Sequence, residues 1–297
     1  MFWTVLFIRP PRLNLPRQKP GTERNTAPYG LQSTVYRHRR PVPFSNLVLD
    51  TSHDVATLTL NRPDSLNALS TDLLKELIRA ADVIGGSGAR TVVVSGAGRA
   101  FCAGVDIAML SEAIGASNED EQYAAFELGS KMADAIESIP QVTVASLHGY
   151  VVGGGIVLAA ACDLRVAEQD TVFSIPEIDL GIPLAWGGIE RLVREIGPAM
   201  TKELVMTCRR FTAQEAKAAR FINEIAEPGE AFGRAHQIAS TIASKPSLPI
   251  RVTKAHVAEI LSGDATRDDA ATAMTTLDDP GSVSARETYL TQLSERS

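Results

Sequence analysis

The stretch HGYVVGGGIVLAAACD, residues 148–163, places three consecutive glycines inside an apolar run. Glycine in the interior of a helix or strand costs about 0.5–1 kcal/mol relative to alanine. Three together indicate either a tight turn or a backbone that another group approaches closely. The preceding run, QVTVASLHG (141–149), is typical of a buried strand, and GGIVLAAACD (154–163) is typical of a short apolar helix. The first N–H groups of such a helix have no intrahelical acceptor, so they are available to a ligand oxygen.

The segments around this stretch predict an α/β core. The run NLVLDTSHDVATLTLNRP (46–63) favours a hairpin, and STDLLKELIRAADVIG (70–85) has the apolar spacing of a helix with Ser70 or Thr71 as its N-cap. ARTVVVSG (89–96) predicts a buried strand. The pattern then continues with a helix over 119–138 and two strand-like runs in LRVAEQDTVFSIPE (164–177), and beyond Gly187 it predicts helices only.

The first 45 residues differ from the rest of the chain. They hold eight Lys or Arg, one acid and seven prolines, whereas the whole chain of 297 residues has a net charge of −6. We expect a basic, proline-rich, disordered extension over 1–45. The acidic remainder argues against nucleic-acid binding as the main task, and no apolar run is long enough for a membrane span. We expect a cytoplasmic protein. An Arg-rich start also allows a mitochondrial matrix location.

Two further segments have features of a ligand site. SGAGRAFCAGVDIAML (95–110) follows a buried strand and is rich in small residues, so its loop can offer a backbone N–H. In FSIPEIDLGIPLAWGG (173–188), Glu177 lies among apolar residues, which would raise its carboxyl pKa toward the range useful for acid–base catalysis. Glu177 can equally be a helix cap or a surface residue, and Trp186 can line a pocket or belong to the core. The cysteines, glycines and histidines show no metal, dinucleotide or phosphate-loop spacing.

In this order and spacing, four motifs resemble the enoyl-CoA hydratase/isomerase (crotonase) superfamily. They are NRPDSLNALS (61–70), GAGRAFCAGVDIAML (96–110), HGYVVGGGIVLAAACDLRVA (148–167) and FSIPEIDLGIP (173–183). The resemblance implies a crotonase-like α/β spiral of repeated strand-strand-helix turns over residues 46–225, which carries the acyl-CoA site. It also implies a C-terminal helical trimerisation region over 226–297, a homotrimer or homohexamer, and acyl-CoA thioester substrates with no metal or redox cofactor.

The resemblance also implies residue roles. The backbone N–H groups of Val105 and Gly154 would stabilise an enolate oxygen, and Glu177 would act as acid and base. Hydratases of the family have a second glutamate where this chain has Val157. The residues implied to contact the coenzyme A substrate are Ala103, Gly104, Asp106, Ile107, Ala108, Gly153 and Gly155.

Because Val157 stands where a hydratase would have its second glutamate, three hypotheses stay open. A single carboxylate suits isomerisation of a 3-enoyl-CoA to a 2-enoyl-CoA, because one base can take a proton from C2 and return it at C4. Hydration by Glu177 with help from another group is the second hypothesis. The third is an acyl-CoA-binding protein that has lost its chemistry.

Overall fold

The computed structural model describes residues 44–263 and 268–295, so the expected disorder over 1–45 falls almost wholly outside the described residues. The strands are β1 (Leu47–Asp50), β2 (Val55–Leu60), β3 (Thr91–Gly96), β4 (Val142–Leu147), β5 (Tyr150–Val152), β6 (Leu164–Glu168), β7 (Val172–Ser174), β8 (Phe211–Thr212) and β9 (Glu224–Ala226). The α-helices are α1 (Thr71–Gly85), α2 (Ile107–Gly115), α3 (Glu119–Glu137), α4 (Gly154–Ala160), α5 (Gly188–Thr207), α6 (Ala213–Ala218), α7 (Ala231–Ala243), α8 (Ser247–Ser262), α9 (Asp269–Met274) and α10 (Pro280–Glu295).

A six-stranded sheet with the order β1-β2-β3-β4-β6-β9 forms the main layer. β1 and β2 form the predicted hairpin, with Leu47 opposite Leu60, and every other pair in this sheet is parallel. Parallel strands are normally covered on both faces, which is why β3 reads TVVVSG with its first five residues buried. The predicted α/β class is confirmed.

A smaller sheet has the strand order β5-β7-β8. Its first two strands each directly follow a strand of the main sheet in the sequence. β4 leads through Gly149 into β5, which leads into the glycine turn and α4. β6 leads in the same way into β7 and the segment that carries Glu177. β5 and β7 pair in parallel, with Val152 opposite Ser174. The turn after β5 and the loop after β7 therefore both begin at the carboxyl ends of the strands, on the same side of the small sheet. The strand order therefore brings two of the predicted site segments together.

The prediction of helices only beyond Gly187 is wrong at two places. β8 pairs with β7, where Phe211 stacks on Phe173 with ring centroids 5.2 Å apart, and β9 adds an edge strand beside β6. Strands of two or three residues are too short for a period-2 pattern, so their partners rather than their own sequence define them.

Helix α7 covers one face of the main sheet. Its buried alanines, Ala231, Ala235 and Ala239, pack against valines of β3, β4 and β6. Alanine at every fourth position presents a narrow, smooth face that lets helix and sheet approach closely. α7 follows the boundary that we predict after residue 225, yet it belongs to the packed core. A role of residues 226–297 in oligomerisation stays a prediction.

Arg165 on β6 holds the C-terminal end of α4. Its guanidinium donates to the carbonyl of Cys162 at 2.6 Å and to that of Ala159 at 3.3 Å, and it pairs with Glu195 of α5. The Arg165 side chain is 2% exposed. A cation at a helix C-terminus satisfies unpaired carbonyls and interacts favourably with the helix dipole. Arg165 therefore fixes the helix whose other end is the glycine turn. No helix of the described residues is long and apolar enough to cross a membrane.

We expect Arg165→Ala to lower the free energy of unfolding by about 3–5 kcal/mol, because it leaves buried carbonyls and the Glu195 carboxylate without their donor. Chemical denaturation followed by circular dichroism measures the change. Arg209→Ala is the matched control, since Arg209 pairs with Glu203 and Glu215 at an exposed site and its loss should change stability little. Equal effects of the two substitutions would contradict the role of Arg165.

Candidate active site

Each glycine of the turn makes room for a different group. Gly153 has φ +49°, and a Cβ there would collide with the Glu177 carboxylate. A Cβ on Gly154 would lie 2.5 Å from Cζ3 of Trp186, and one on Gly155 would lie 2.6 Å from the carbonyl oxygen of Cys102. At Gly154 and Gly155 such distances leave no room for a side chain, and at Gly153 the positive φ disfavours one as well. The three glycines are thus explained by the close approach of other groups as well as by the turn.

Two backbone N–H groups meet beside this turn, one from Val105 and one from Gly154. The loop that carries Val105 is held by Leu69, whose N–H donates to the Gly104 carbonyl at 2.7 Å and whose carbonyl accepts from Asp106 N–H at 3.0 Å. A Cβ on Gly104 would lie 3.8 Å from the nitrogen of Gly154, so the two loops are in contact. Within residues 44–263 and 268–295, neither the Val105 nor the Gly154 N–H donates to a protein acceptor. Backbone donors without a protein acceptor, on two loops in contact, are suited to stabilising a developing oxyanion.

Glu177 brings a buried carboxylate to the same place. The Glu177 residue is 8% exposed, and its Oε2 has no hydrogen-bond partner among the described residues. Burial raises the pKa of the Glu177 carboxyl above its ordinary value, and a hydrogen bond with its own backbone N–H offsets this only in part. The short turn Ile178–Leu180 orients the residue, since the Glu177 carbonyl accepts from the N–H groups of Leu180 and Ile182, each at 3.0 Å. A buried carboxylate with a raised pKa and one oxygen left without a partner in the described part of the chain is suited to taking and returning a proton.

A cavity of about 270 Å³ joins these groups. Val105, Gly154 and Glu177, the residues that the resemblance assigns to catalysis, all line it. Among the described residues Glu177 alone contributes an ionisable side chain to its wall. The remaining lining residues are Leu110, Phe126, Val157, Ile182, Pro183, Leu184, Ala185 and Trp186.

Sequence reasoning did not single out most of this apolar wall. Leu110 and Phe126 belong to helices whose spacing only indicates a core-facing side, and Leu184 lies in a loop without period. For Trp186 both interpretations hold, because the side chain lines the cavity and its residue is only 8% exposed. Val157, where the resemblance implies a glutamate in hydratases, is 1% exposed and lines the cavity.

The residues expected to contact coenzyme A divide into two groups. Gly153 and Gly155 lie in the turn, and Gly104 lies against it. Asp106 caps α2 by accepting from Ala108 N–H and forms an ion pair with Arg62 at 2.9 Å. Ile107 is 66% exposed at the start of the same helix. The contacts of these residues, and of Ala103 and Ala108, with a coenzyme A substrate stay predictions.

Other chemistry-bearing groups lie apart from the cavity wall. Burial raises the pKa of the thiols of Cys102 and Cys162 to about 12, so both are thiols rather than thiolates at neutral pH. In residues 44–263 and 268–295 there is no cluster of three or more His, Cys, Asp or Glu that could hold a metal ion.

The chain belongs to the enoyl-CoA hydratase/isomerase family, because that family's model matches residues 50–296. It is 34% identical to the short-chain-enoyl-CoA hydratase of Clostridium acetobutylicum, over 71% of this chain and 80% of that one. It is also 34% identical to the peroxisomal Δ(3,5)-Δ(2,4)-dienoyl-CoA isomerase of Arabidopsis thaliana, over 69% and 78%. The crystal structure of enoyl-CoA hydratase from Bacillus anthracis superposes with a TM-score of 0.70 at 31% identity, covering 84% of this chain and 96% of that one. The predicted family and crotonase-like fold are confirmed.

Burial of the Glu177 carboxylate has a consequence for stability. Because its pKa is raised in the folded state, the protonated folded form is favoured at low pH, and stability is lost as the pH rises through the folded pKa. We expect Glu177→Gln, which does not titrate, to gain stability over the wild type as the pH is raised from about 4 to about 8. Melting temperatures of both proteins across this range test it. A difference that stays constant with pH would show that the carboxyl is not perturbed.

Proposed function

We propose that the protein moves the double bond of a 3-enoyl-CoA thioester to position 2, with Glu177 as its single acid–base group. The observation that carries the proposal is that Glu177 alone, among the described residues, puts an ionisable side chain into the cavity. Val105 and Gly154, whose N–H groups donate to no acceptor among the described residues, line the same cavity. From the chain's membership of the enoyl-CoA hydratase/isomerase family we infer the substrate class, an acyl-CoA with an unsaturated acyl chain.

The geometry supports a two-step proton transfer. The substrate's thioester carbonyl accepts from the N–H groups of Val105 and Gly154, and the Glu177 carboxylate removes a proton from C2. The electron pair moves into a dienolate whose oxygen carries the negative charge. Each backbone donor is worth ~10²–10³ in rate in sites of this kind. The protonated Glu177 then delivers the same proton to C4, the double bond forms between C2 and C3, and the carboxylate is regenerated.

Hydration is the second candidate, favoured by the names of the hydratase relatives. Adding water to a 2-enoyl thioester requires a water molecule to be oriented and deprotonated beside the double bond. Two carboxylates do this readily, but Val157 offers neither charge nor hydrogen bond at the second position. Isomerisation needs no water and so agrees better with a cavity whose other described lining side chains are apolar.

The remaining expectations are part of the same proposal. The proton transfer uses side-chain and backbone groups of the chain itself, so we propose that it needs no metal or redox cofactor. We also propose a homotrimer or homohexamer in the cytoplasm, with the mitochondrial matrix as the alternative. Size-exclusion chromatography with light scattering tests the first and fractionation of the source cells tests the second.

Deuterium exchange into a saturated substrate tests the base directly. We expect the wild type to exchange deuterium from heavy water into C2 of butyryl-CoA, because a saturated thioester can lose its C2 proton but cannot complete a double-bond shift. Glu177→Gln should lower the exchange rate at least ~10²-fold, within the range of a lost acid–base group. Mass spectrometry of the recovered thioester measures it.

Asp179→Asn is the matched control, because Asp179 is an exposed carboxylate only two residues from Glu177. It should exchange at the wild-type rate. If the wild type binds butyryl-CoA without exchanging deuterium, the protein is a binding protein and not an enzyme of this kind.

A substitution at Val157 separates isomerase from hydratase. We expect the wild type to convert 3-hexenoyl-CoA faster than it hydrates crotonyl-CoA, and Val157→Glu to raise the hydration rate at least tenfold by supplying the second carboxylate. Val157→Gln is the control, since it has the size and polarity of glutamate without its basicity. The rate of hydration is measured as the loss of the enoyl-thioester absorbance. Fast hydration by the wild type would make the protein a hydratase despite Val157.

A further inference from the structure

Trp186 occupies the space between two helices and the cavity. A Cβ on Gly129 of α3 would collide with its indole, and a Cβ on Gly154 would lie 2.5 Å from Cζ3. The indole therefore packs directly on the backbone of both helices, and it also lines the cavity. Because glycines stand at both contacts, the ring has come as close to the helices as backbone atoms allow. It has no room to withdraw further when the cavity is filled.

The backbone of Trp186 is held in an uncommon conformation. Its φ is +60°, in the left-handed region that few residues other than glycine adopt. The Trp186 carbonyl accepts a hydrogen bond from Nη1 of Arg191 at 3.2 Å. Arg191 is 5% exposed and pairs with Asp134, at 2.8 Å, and with Glu137, both on α3. Helix α3 therefore contacts the Trp186 indole and also forms the ion pairs that hold Arg191, which in turn binds the Trp186 carbonyl.

We propose that Trp186 is the residue that sets the upper limit of acyl-chain length, and that Arg191 is the positioning residue that keeps it in place. The inference rests on the proposed function, which puts the thioester carbonyl on the Gly154 N–H. The indole then lies in contact with the residue that binds the carbonyl, so an acyl chain that fills the cavity meets a wall that has no room to retreat. Val157 and Leu184, both nearly fully buried, supply further apolar wall. A cavity of about 270 Å³ is also below the ~300–1,000 Å³ of common ligand pockets, which suits a short acyl chain.

Calorimetric binding of saturated thioesters tests the limit without requiring turnover. The probes are free coenzyme A and butyryl-, hexanoyl-, octanoyl- and decanoyl-CoA, measured with the wild type, Trp186→Phe and Trp186→Leu. Burial of one methylene is worth about fourfold in affinity while there is room for it. We expect the wild-type affinity to stop rising at a short chain. In Trp186→Leu the octanoyl-to-butyryl affinity ratio should increase at least tenfold, with a smaller increase in Trp186→Phe and unchanged affinity for free coenzyme A.

Two further variants make the result specific. Phe232→Leu removes an aromatic ring that is 44% exposed on α7, outside the cavity, and should leave the ratio unchanged. Arg191→Lys keeps the charge but loses the forked donor, so it should shift the ratio in the same direction as Trp186→Phe. The inference would be overturned if the octanoyl-to-butyryl affinity ratio of Trp186→Leu stayed within about twofold of the wild-type ratio. This includes the case in which the variant binds all the ligands more weakly by the same factor. Failure of the wild type to bind any of the thioesters would instead reject the proposed acyl-CoA function itself.

Discussion

The close approach of three segments to the backbone at Gly153–Gly155 is the constraint on which the site depends. The Glu177 carboxylate, the Trp186 indole and the Cys102 carbonyl each occupy space that a Cβ would need. A side chain in the turn would displace one of them. Interiors are packed too densely to absorb such a shift nearby, so the turn, the base and the apolar wall form one unit. The glycines lose conformational entropy on folding, and this contact is what offsets the cost.

The fold supports this unit from two sides. Arg165 satisfies the carbonyls at the C-terminal end of α4, while the parallel pairing of β5 with β7 brings the turn and the Glu177 loop to one edge of the small sheet. Both devices act on the backbone. The buried carboxylate itself contributes nothing favourable to stability, because its Oε2 lacks a partner in the described part of the chain. Functional residues are often held by the surrounding structure in an environment that lowers the stability of the folded protein.

Membership of the enoyl-CoA hydratase/isomerase family defines the fold and the substrate class but leaves the reaction open, since relatives at 34% identity are named both hydratase and isomerase. We propose that in this chain position 157 makes the difference between the two reactions. Val157 places a branched aliphatic side chain in the cavity next to the N–H donors, and Glu177 remains as the single titratable group among the described lining residues. A lone carboxylate can shuttle a proton between two carbons. Activating water against an apolar wall is harder, because water bound there would lose hydrogen bonds.

The sequence by itself determined the elements with strong periods and the motifs. The hairpin at 46–63, the helix capped by Ser70 and the buried strand β3 follow from apolar spacing and capping chemistry, which are local properties. Gly153–Gly155, the loop with Val105 and the segment with Glu177 were recognisable from their residues, and they do line one cavity or its turn. The strands β8 and β9 were not predicted, because two- and three-residue strands exist only through their partners.

What only the tertiary structure decided are the contacts between distant segments. No spacing in the chain indicates that Gly129 and Gly154, on two separate helices, leave room for the same indole, or that Arg191 holds the Trp186 carbonyl by pairing with α3. Burial of the Glu177 carboxylate is likewise a property of the assembled cavity, since solvent exclusion depends on every wall at once. Local sequence determines periodicity and backbone freedom, whereas desolvation and close packing arise only when the segments meet.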